Sequence, residues 1–340
     1  MVTTSSGDNP FSCKAFSEGI AKSPVPKNTI RKVLAVKDVA AACAADVRTL
    51  AAKRSEGKWP YRCKVERRGG VDYIGQGMPE LPMTLPDNLT PFRPTMERLL
   101  TVFGAPVELA LLPHRRNRHG YDHGEQQPFI RAPAQRIIDE ESYWRCETLA
   151  LTPNKFPFAQ DQRILWMARP AREPDETFWR ALFDWVDRSG GTALVNNVGA
   201  AATIPRAHAH LINEQLPFLS SIDERPLRKS VIDVPTSCEL VVKILPCCVM
   251  GVRGPAAARA KALIRLADAR RTAAWNVIAT PEATWSIPRT AETPAPHFPS
   301  PMGASEYWGR FCYVDEAPFL DAETETLTKA WERSTSTSVD

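Results

Sequence analysis

The chain has 340 residues, 43% of them hydrophobic and 24% charged, enough for roughly two domains or half-domains around a substantial core. Its 43 basic and 39 acidic side chains leave a net charge of +4, too dilute for a nucleic-acid-binding face, which needs clustered positive charge. No run approaches the roughly 18 apolar residues of a membrane span, and the first residues lack a basic start followed by an apolar segment. A cytoplasmic protein with neither membrane nor nucleic acid as partner is expected.

The eight cysteines are scattered without a CxxC pair, so the expectation is buried free thiols rather than a zinc site or a disulfide framework. Residues 1–28 lack periodicity and are expected to be mobile. In residues 36–53, Val39, Cys43, Val47 and Leu50 fall at helical spacing. A proline-dense connection over 79–94 then leads into a short apolar helix or strand over 96–112. The loop "HRRNRHGYDHGEQQ" holds His114, His119, Asp122 and His123. The His119 to His123 spacing suits metal chelation on a helix, but Gly120 and Gly124 oppose a helix there. A basic loop reaching an anion and an exposed structural loop are the competing readings.

Strand-forming runs at 148–152 and 163–168, separated by Pro153, Asn154 and Pro157, predict a hairpin. The next segment predicts a helix capped by Asp175, with Phe178, Leu182 and Trp185 on one face and Gly190 as its stop. "TALVNN" and "TIPRAHAHLI" then read as strands around the small-residue loop "VGAAA". After Pro217 the order partly repeats: "ELVVKILPCCVMGV" is strand-like, "PAAARAKALIRLADARRTA" helical, and "AWNVIAT" and "ATWSIPR" are strands. "SEYWGRFCYV" adds a strand and "DAETETLTKAWERS" an acid-started final helix.

In an extended strand, Ile204, Arg206, His208, His210 and Ile212 share one face, while Pro205, Ala207, Ala209 and Leu211 share the other. The small apolar face is the one a helix would cover, and the Phe178, Leu182 and Trp185 stripe suits it. The polar row admits two readings: solvated side chains on an exposed strand, or phosphate-directed chemistry. For the second, a neutral imidazole has a nitrogen able to attack phosphorus. Arginine can neutralise the nonbridging oxygens, and loop amides can approach them closely.

The segment "NVGAAATIPRAHAH" resembles the histidine triad superfamily signature, in which an Asn-x-Gly loop leads into Pro-His-x-His-x-His, or Pro-His-x-His-x-Gln in the galactose-1-phosphate uridylyltransferase branch. The resemblance implies that His208 is the nucleophile and His210 the last triad position, both catalytic. It also implies that Asn197, Gly199 and Thr203 bind phosphate, where the charge of Arg206 would bind as well, and "TPNKFPF" similarly nominates Asn154 and Phe156 for the nucleoside. The second half, "AWNVIATPEATWSIPR" followed by "ASEYWGRF", is similar to nucleoside-diphosphate-hexose phosphorylases and dinucleoside tetraphosphate phosphorylases.

Two departures stand out. Arg206 replaces the first triad histidine, and with no CxxC this implies no structural metal. Gln162, in "AQDQR", stands where relatives carry Gly-His and cannot exchange protons.

The expected fold is α+β: an antiparallel sheet of histidine triad type with packed helices, built as two related halves in one compact unit. Its expected boundaries are a mobile segment 1–28, a helical and loop-rich region 29–140, a catalytic half 141–218, a second half 219–333 and a mobile tail 334–340. The expected function is a nucleotidyltransferase or phosphorylase acting on a nucleotide sugar or dinucleotide through a nucleotidyl-histidine. The alternatives are a hydrolase of the same substrates and a catalytically weakened nucleotide-binding protein. No cofactor is required, a divalent cation is compatible with the chemistry, and a homodimer is compatible with the sequence.

Overall fold

The apolar stretch over 96–112 folds as a hairpin of β1 (Met96–Val102) and β2 (Ala105–Leu111). Its two-residue turn puts both Phe103 and Gly104 at positive φ, the twist that tight hairpins require. The computed structural model that shows this describes residues 79–117, 134–227, 232–270 and 272–337. The expected helix at 36–53 and the loop residues His119, Asp122 and His123 lie outside the described residues.

A helix that the sequence did not announce, α1 (Ala134–Glu141), precedes the large sheet. The first half of that sheet contains β3 (Trp144–Arg145), β4 (Leu149–Pro153) and β5 (Arg163–Met167). Helix α2 (Glu176–Ser189) follows, then β6 (Thr192–Asn196) and β7 (His208–Ile212). Its second half contains β8 (Glu224–Pro226), β9 (Glu239–Lys243), β10 (Met250–Arg253), α3 (Ala256–Ala269), β11 (Ala274–Ala279) and β12 (Thr284–Arg289).

The strands assemble in the order β3-β4-β5-β7-β6-β11-β12-β10-β9-β8, antiparallel throughout. Each half is therefore three strands, a helix and two strands, and the halves join where β6 pairs with β11. This is the expected α+β architecture of two related halves, with both in one unit.

Alternation decides which side chains face which layer. Leu149, Leu151, Leu165, Met167, Ala207, Ala209 and Leu211 pack beneath α2 and α3, against Phe178, Trp179, Leu182, Trp185 and Leu263. Helix α2 begins where the Asp175 carboxylate accepts the Phe178 amide and stops at Gly190, φ 68°, as its capping residues dictate. On the opposite face, Ile164, His210, Leu194, Ile278 and Trp285 lie directly opposed across five strands. Along this row the first half carries histidine and the second half carries Trp285, whose ring lies against Gly251, where no Cβ would fit. The same face of β12 continues with Ile287 into the apolar core, so the second half presents no histidine counterpart there.

Three segments depart from expectation. "SEYWGRFCYV" splits into helix α4 (Ala304–Trp308) and β13 (Arg310–Tyr313), which pairs parallel with β2 in a separate three-stranded sheet. Gly309 permits this break: its φ is 114°, and a Cβ there would lie 2.6 Å from Phe218 Cβ. Short helix α5 (Glu316–Leu320) then precedes the expected terminal helix α6 (Thr324–Ser334).

Residues 334–337, expected to begin a loose tail, are instead pinned. Ser334 and Thr335 are buried, the Ser334 carbonyl accepts from Thr290 N and Arg289 Nε, and Cys248 N donates to the Ser336 carbonyl. Finally, β7 begins at His208 rather than at Thr203, because Pro205 has no N–H to contribute to a ladder. Among the described residues no helix is long and apolar enough to cross a membrane.

Candidate functional site

Strand β7 presents His208 and His210 on the sheet face opposite α2. Beside His208 lies a small apolar cluster formed by Ala134 and Ile138 of α1 with Ala150 and Trp166. His208 is buried and stacks on the Trp166 ring, centroids 4.9 Å apart and planes 29° from parallel. Trp166 is itself held by its Nε1–H, which donates to Thr152 Oγ1 at 2.9 Å. His208 Nδ1 lies 2.7 Å from the Arg206 carbonyl oxygen. A carbonyl can only accept, so Nδ1 carries the proton, and in the neutral ring the lone pair falls on Nε2.

His210 is set the opposite way. Gln162, 1% exposed at the start of the β5 side of the hairpin, has its Nε2 2.9 Å from His210 Nδ1. The orientation of that amide follows from its other end, since the Phe158 backbone N–H can only donate and reaches Gln162 Oε1 at 2.8 Å. Gln162 therefore gives an N–H to His210 Nδ1, and the neutral ring of His210 carries its proton on Nε2. The two rings lie 5.6 Å apart, nearly perpendicular, and Phe158 packs edge-on against His210 at 5.2 Å.

Arg206 precedes the strand and does not extend the histidine row as alternation suggested. Both of its terminal nitrogens reach Gln135 Oε1 of α1, at 3.1 and 3.2 Å, and one reaches the Ala168 carbonyl. Burial lowers its pKa from the usual value, opposed by the nearby Asp139 carboxylate. Asp139 lies below the ordinary carboxylate range because Gln135 and Arg145 both hydrogen-bond it.

The other nominated residues divide between the site and its frame. Asn154 Oδ1 accepts from Phe156 N at 3.0 Å, closing the turn that carries the half-buried Phe156. Asn197 is engaged with the second half of the sheet: its Nδ2 donates to the Ala273 carbonyl and its Oδ1 accepts from Trp275 N. Gly199 is left-handed, φ 85°, a conformation that glycine adopts without strain. In the same loop the Ala201 amide, expected to be available to phosphate, donates to the Glu292 carboxylate at 2.8 Å. Thr203 is half-buried in the turn leading to β7.

Two participants were not nominated as binding residues. In the sequence Gln162 reads only as a missing histidine. Arg115, from the loop treated as a separate feature, donates to the Phe156 carbonyl and lies over the Phe158 ring at 5.0 Å. Its neighbour His114 has a pKa lowered by burial, partly offset by a hydrogen bond to the Pro157 backbone. Among the described residues no three His, Cys, Asp or Glu side chains gather as a metal site. A cleft of about 430 Å³ near Glu173, Trp179, Arg270 and Trp275 opens on the helix-covered side, across the sheet from His208.

No family model and no curated protein sequence matches the chain. Solved structures do. Yeast Ap4A phosphorylase Apa2 in complex with Ap4A superposes with a TM-score of 0.53 at 11% identity, over 74% of this chain and 92% of that one. Apa2 without that ligand gives 0.50 at 12% identity, over 72% and 91%. The chain shares the fold of these solved structures, an α+β, histidine-triad-like architecture built as two related halves, and among the described residues its histidine row lies on β7 of the first.

Proposed function

We propose that this protein is a nucleotidyl-transferring enzyme of phosphorylase type, acting on pyrophosphate-linked nucleotides such as dinucleoside polyphosphates or nucleoside diphosphate sugars. The observation that carries the reading is the 2.7 Å bond from His208 Nδ1 to the Arg206 carbonyl. It directs the lone pair to Nε2, and Trp166 stacking holds the ring in place. Attack by Nε2 on the α-phosphorus forms a nucleotidyl-histidine as the P–O bond to the departing phosphate breaks. An acceptor then attacks the same phosphorus and returns the electron pair to Nε2. Inorganic phosphate makes the enzyme a phosphorylase, a sugar phosphate a transferase, and water a hydrolase. The fold shared with Ap4A phosphorylase supports the nucleotide class.

His210 donates from Nε2 to a nonbridging oxygen as charge develops. The buried positive charge of Arg206 and the 198–203 loop support the phosphates, and Phe156, on the turn closed by Asn154, offers its ring to the base. Neither a resident metal nor a cofactor enters these steps.

The test is an adduct screen. The purified protein is incubated with Ap4A and a panel of nucleoside diphosphate sugars, quenched, and weighed by mass spectrometry. A nucleotidyl mass that disappears in His208→Ala is expected, and added phosphate should discharge it. Tight nucleotide binding with no adduct and no turnover across the panel would instead mark a binding protein.

A further inference from the structure

We infer that Gln162 is a positioning residue that locks His210 in its Nε2–H form, restricting the site to leaving groups that depart as phosphate anions. The inference rests on the nucleotidyl-transfer reading above and narrows its substrate class. Its basis is the chain of two hydrogen bonds from Phe158 N through the Gln162 amide to His210 Nδ1. The backbone donor sets which end of the amide is oxygen, the amide then sets which ring nitrogen accepts, and burial of Gln162 at 1% exposure prevents the side chain from turning over at low cost. A second proton on His210 would put an N–H against the N–H of Gln162. His210 therefore gives a hydrogen bond and keeps its proton, since surrendering it would leave an imidazolate that the amide cannot reload.

The consequence is chemical. When His208 Nε2 forms its bond to the α-phosphorus, the electron pair of the breaking bond leaves with the departing group, and no proton goes with it. A departing phosphate tolerates this because its conjugate acid has a pKa of about 6. An amine or alkoxide does not, because it needs a proton in the transition state, a contribution of roughly 10²–10⁴ in rate. The site should therefore cleave pyrophosphate links in dinucleoside polyphosphates and nucleotide sugars, and discriminate against phosphoramidates and alkyl esters of the same nucleotide.

Two measurements test this. First, ¹⁵N-histidine-labelled protein is examined by long-range ring NMR: His208 should be protonated at Nδ1 and His210 at Nε2. Gln162→Glu keeps an oxygen for Phe158 N but turns a carboxylate acceptor toward His210, so it should add a proton at Nδ1 while Nε2 keeps its own, an imidazolium able to protonate a departing amine, with the fold retained.

Second, turnover of Ap4A and its guanosine analogue is compared with the corresponding nucleoside 5′-phosphoramidates. The wild-type protein should prefer the polyphosphates by about 100-fold or more, and Gln162→Glu should narrow that ratio. A purely structural Gln162 would leave both the ring protonation and the ratio unmoved. Protonation of His210 at Nδ1 in the wild-type protein, or equal rates on the two substrate classes, would overturn the inference. Turnover of neither class, with no adduct, overturns the nucleotidyl-transfer reading and the substrate restriction with it, while the NMR result still decides the tautomer.

Discussion

Arg206 holds His208 through its backbone: the carbonyl oxygen of Arg206 lies 2.7 Å from His208 Nδ1, while the Arg206 guanidinium points to Gln135 and the Ala168 carbonyl. The part of Arg206 that sets the nucleophile is thus the part any residue would supply. Arg206→Ala should still form the nucleotidyl-histidine, while losing about 2 kcal/mol of stability with its charge-assisted hydrogen bonds. Adduct mass and the denaturant midpoint read the two effects separately, and an Arg206→Ala protein that folds but never forms the adduct contradicts this division.

The Trp166 platform depends on Thr152. Thr152→Val keeps the shape but leaves a buried indole N–H without its 2.9 Å acceptor, which costs about 1–3 kcal/mol. Urea unfolding should show that loss, and adduct formation should slow more in Trp166→Leu, which also removes the stack, than in Thr152→Val. Equal slowing in the two variants would show that stacking on His208 has no part in the rate.

Asn197 joins the two halves where β6 ends, through the Ala273 carbonyl and the Trp275 amide. Asn197→Ala should therefore lower stability by about 2 kcal/mol, the cost of leaving buried backbone groups unpaired. Nucleotide affinity, measured calorimetrically at a temperature where the variant is folded, should change less than threefold. A large loss of affinity in a stable variant would restore the phosphate-binding role implied by resemblance.

Arg310 ties the small sheet to the site. Its guanidinium binds Glu108 of β2 at 2.5 Å, Glu214 beyond β7 at 2.6 Å, and the carbonyl of Phe158, whose ring packs against His210. Burial alone would lower its pKa, but Glu214 and Glu108 outweigh that and raise it. Arg310→Met should cost about 2–3 kcal/mol, below the figure for a fully buried pair because both glutamates keep some solvent contact. Thermal unfolding checks the value, and weaker nucleotide binding is expected alongside it.

Cys247 gives a pH dependence with a definite sign. Burial raises its thiol from 9.0 to about 11, so over that interval the unfolded chain releases the proton and the folded chain keeps it. Stability from this group is complete below pH 9 and is lost as pH rises through the folded value, by up to about 2–3 kcal/mol. Denaturation midpoints measured from pH 8.5 to 11 should fall less steeply in Cys247→Ala than in the wild-type protein.

Much of the frame was legible in the order of residues because it is local. The period-two alternation of Ala207, Ala209 and Leu211 and the three-to-four spacing of Phe178, Leu182 and Trp185 predict two apolar surfaces, and these pack together. Capping by Asp175 and Gly190 is likewise written in short-range chemistry. Other features depend on partners distant in sequence. Helix α1 is short, with only Ala134 and Ile138 buried, too weak a pattern to stand out, yet it receives Arg206 across 71 residues. The strand after Trp308 joins β2 because Gly309 turns the chain away from the large sheet.

By itself, then, the sequence determined two strand-helix-strand units, since side-chain periodicity and spacing survive without tertiary contacts, and its resemblance to a known signature nominated His208. Only the tertiary structure decided the tautomers of His208 and His210. A ring proton goes where its hydrogen-bond partner permits, and for His210 that partner is Gln162, 48 residues earlier, whose own orientation is set by one backbone N–H.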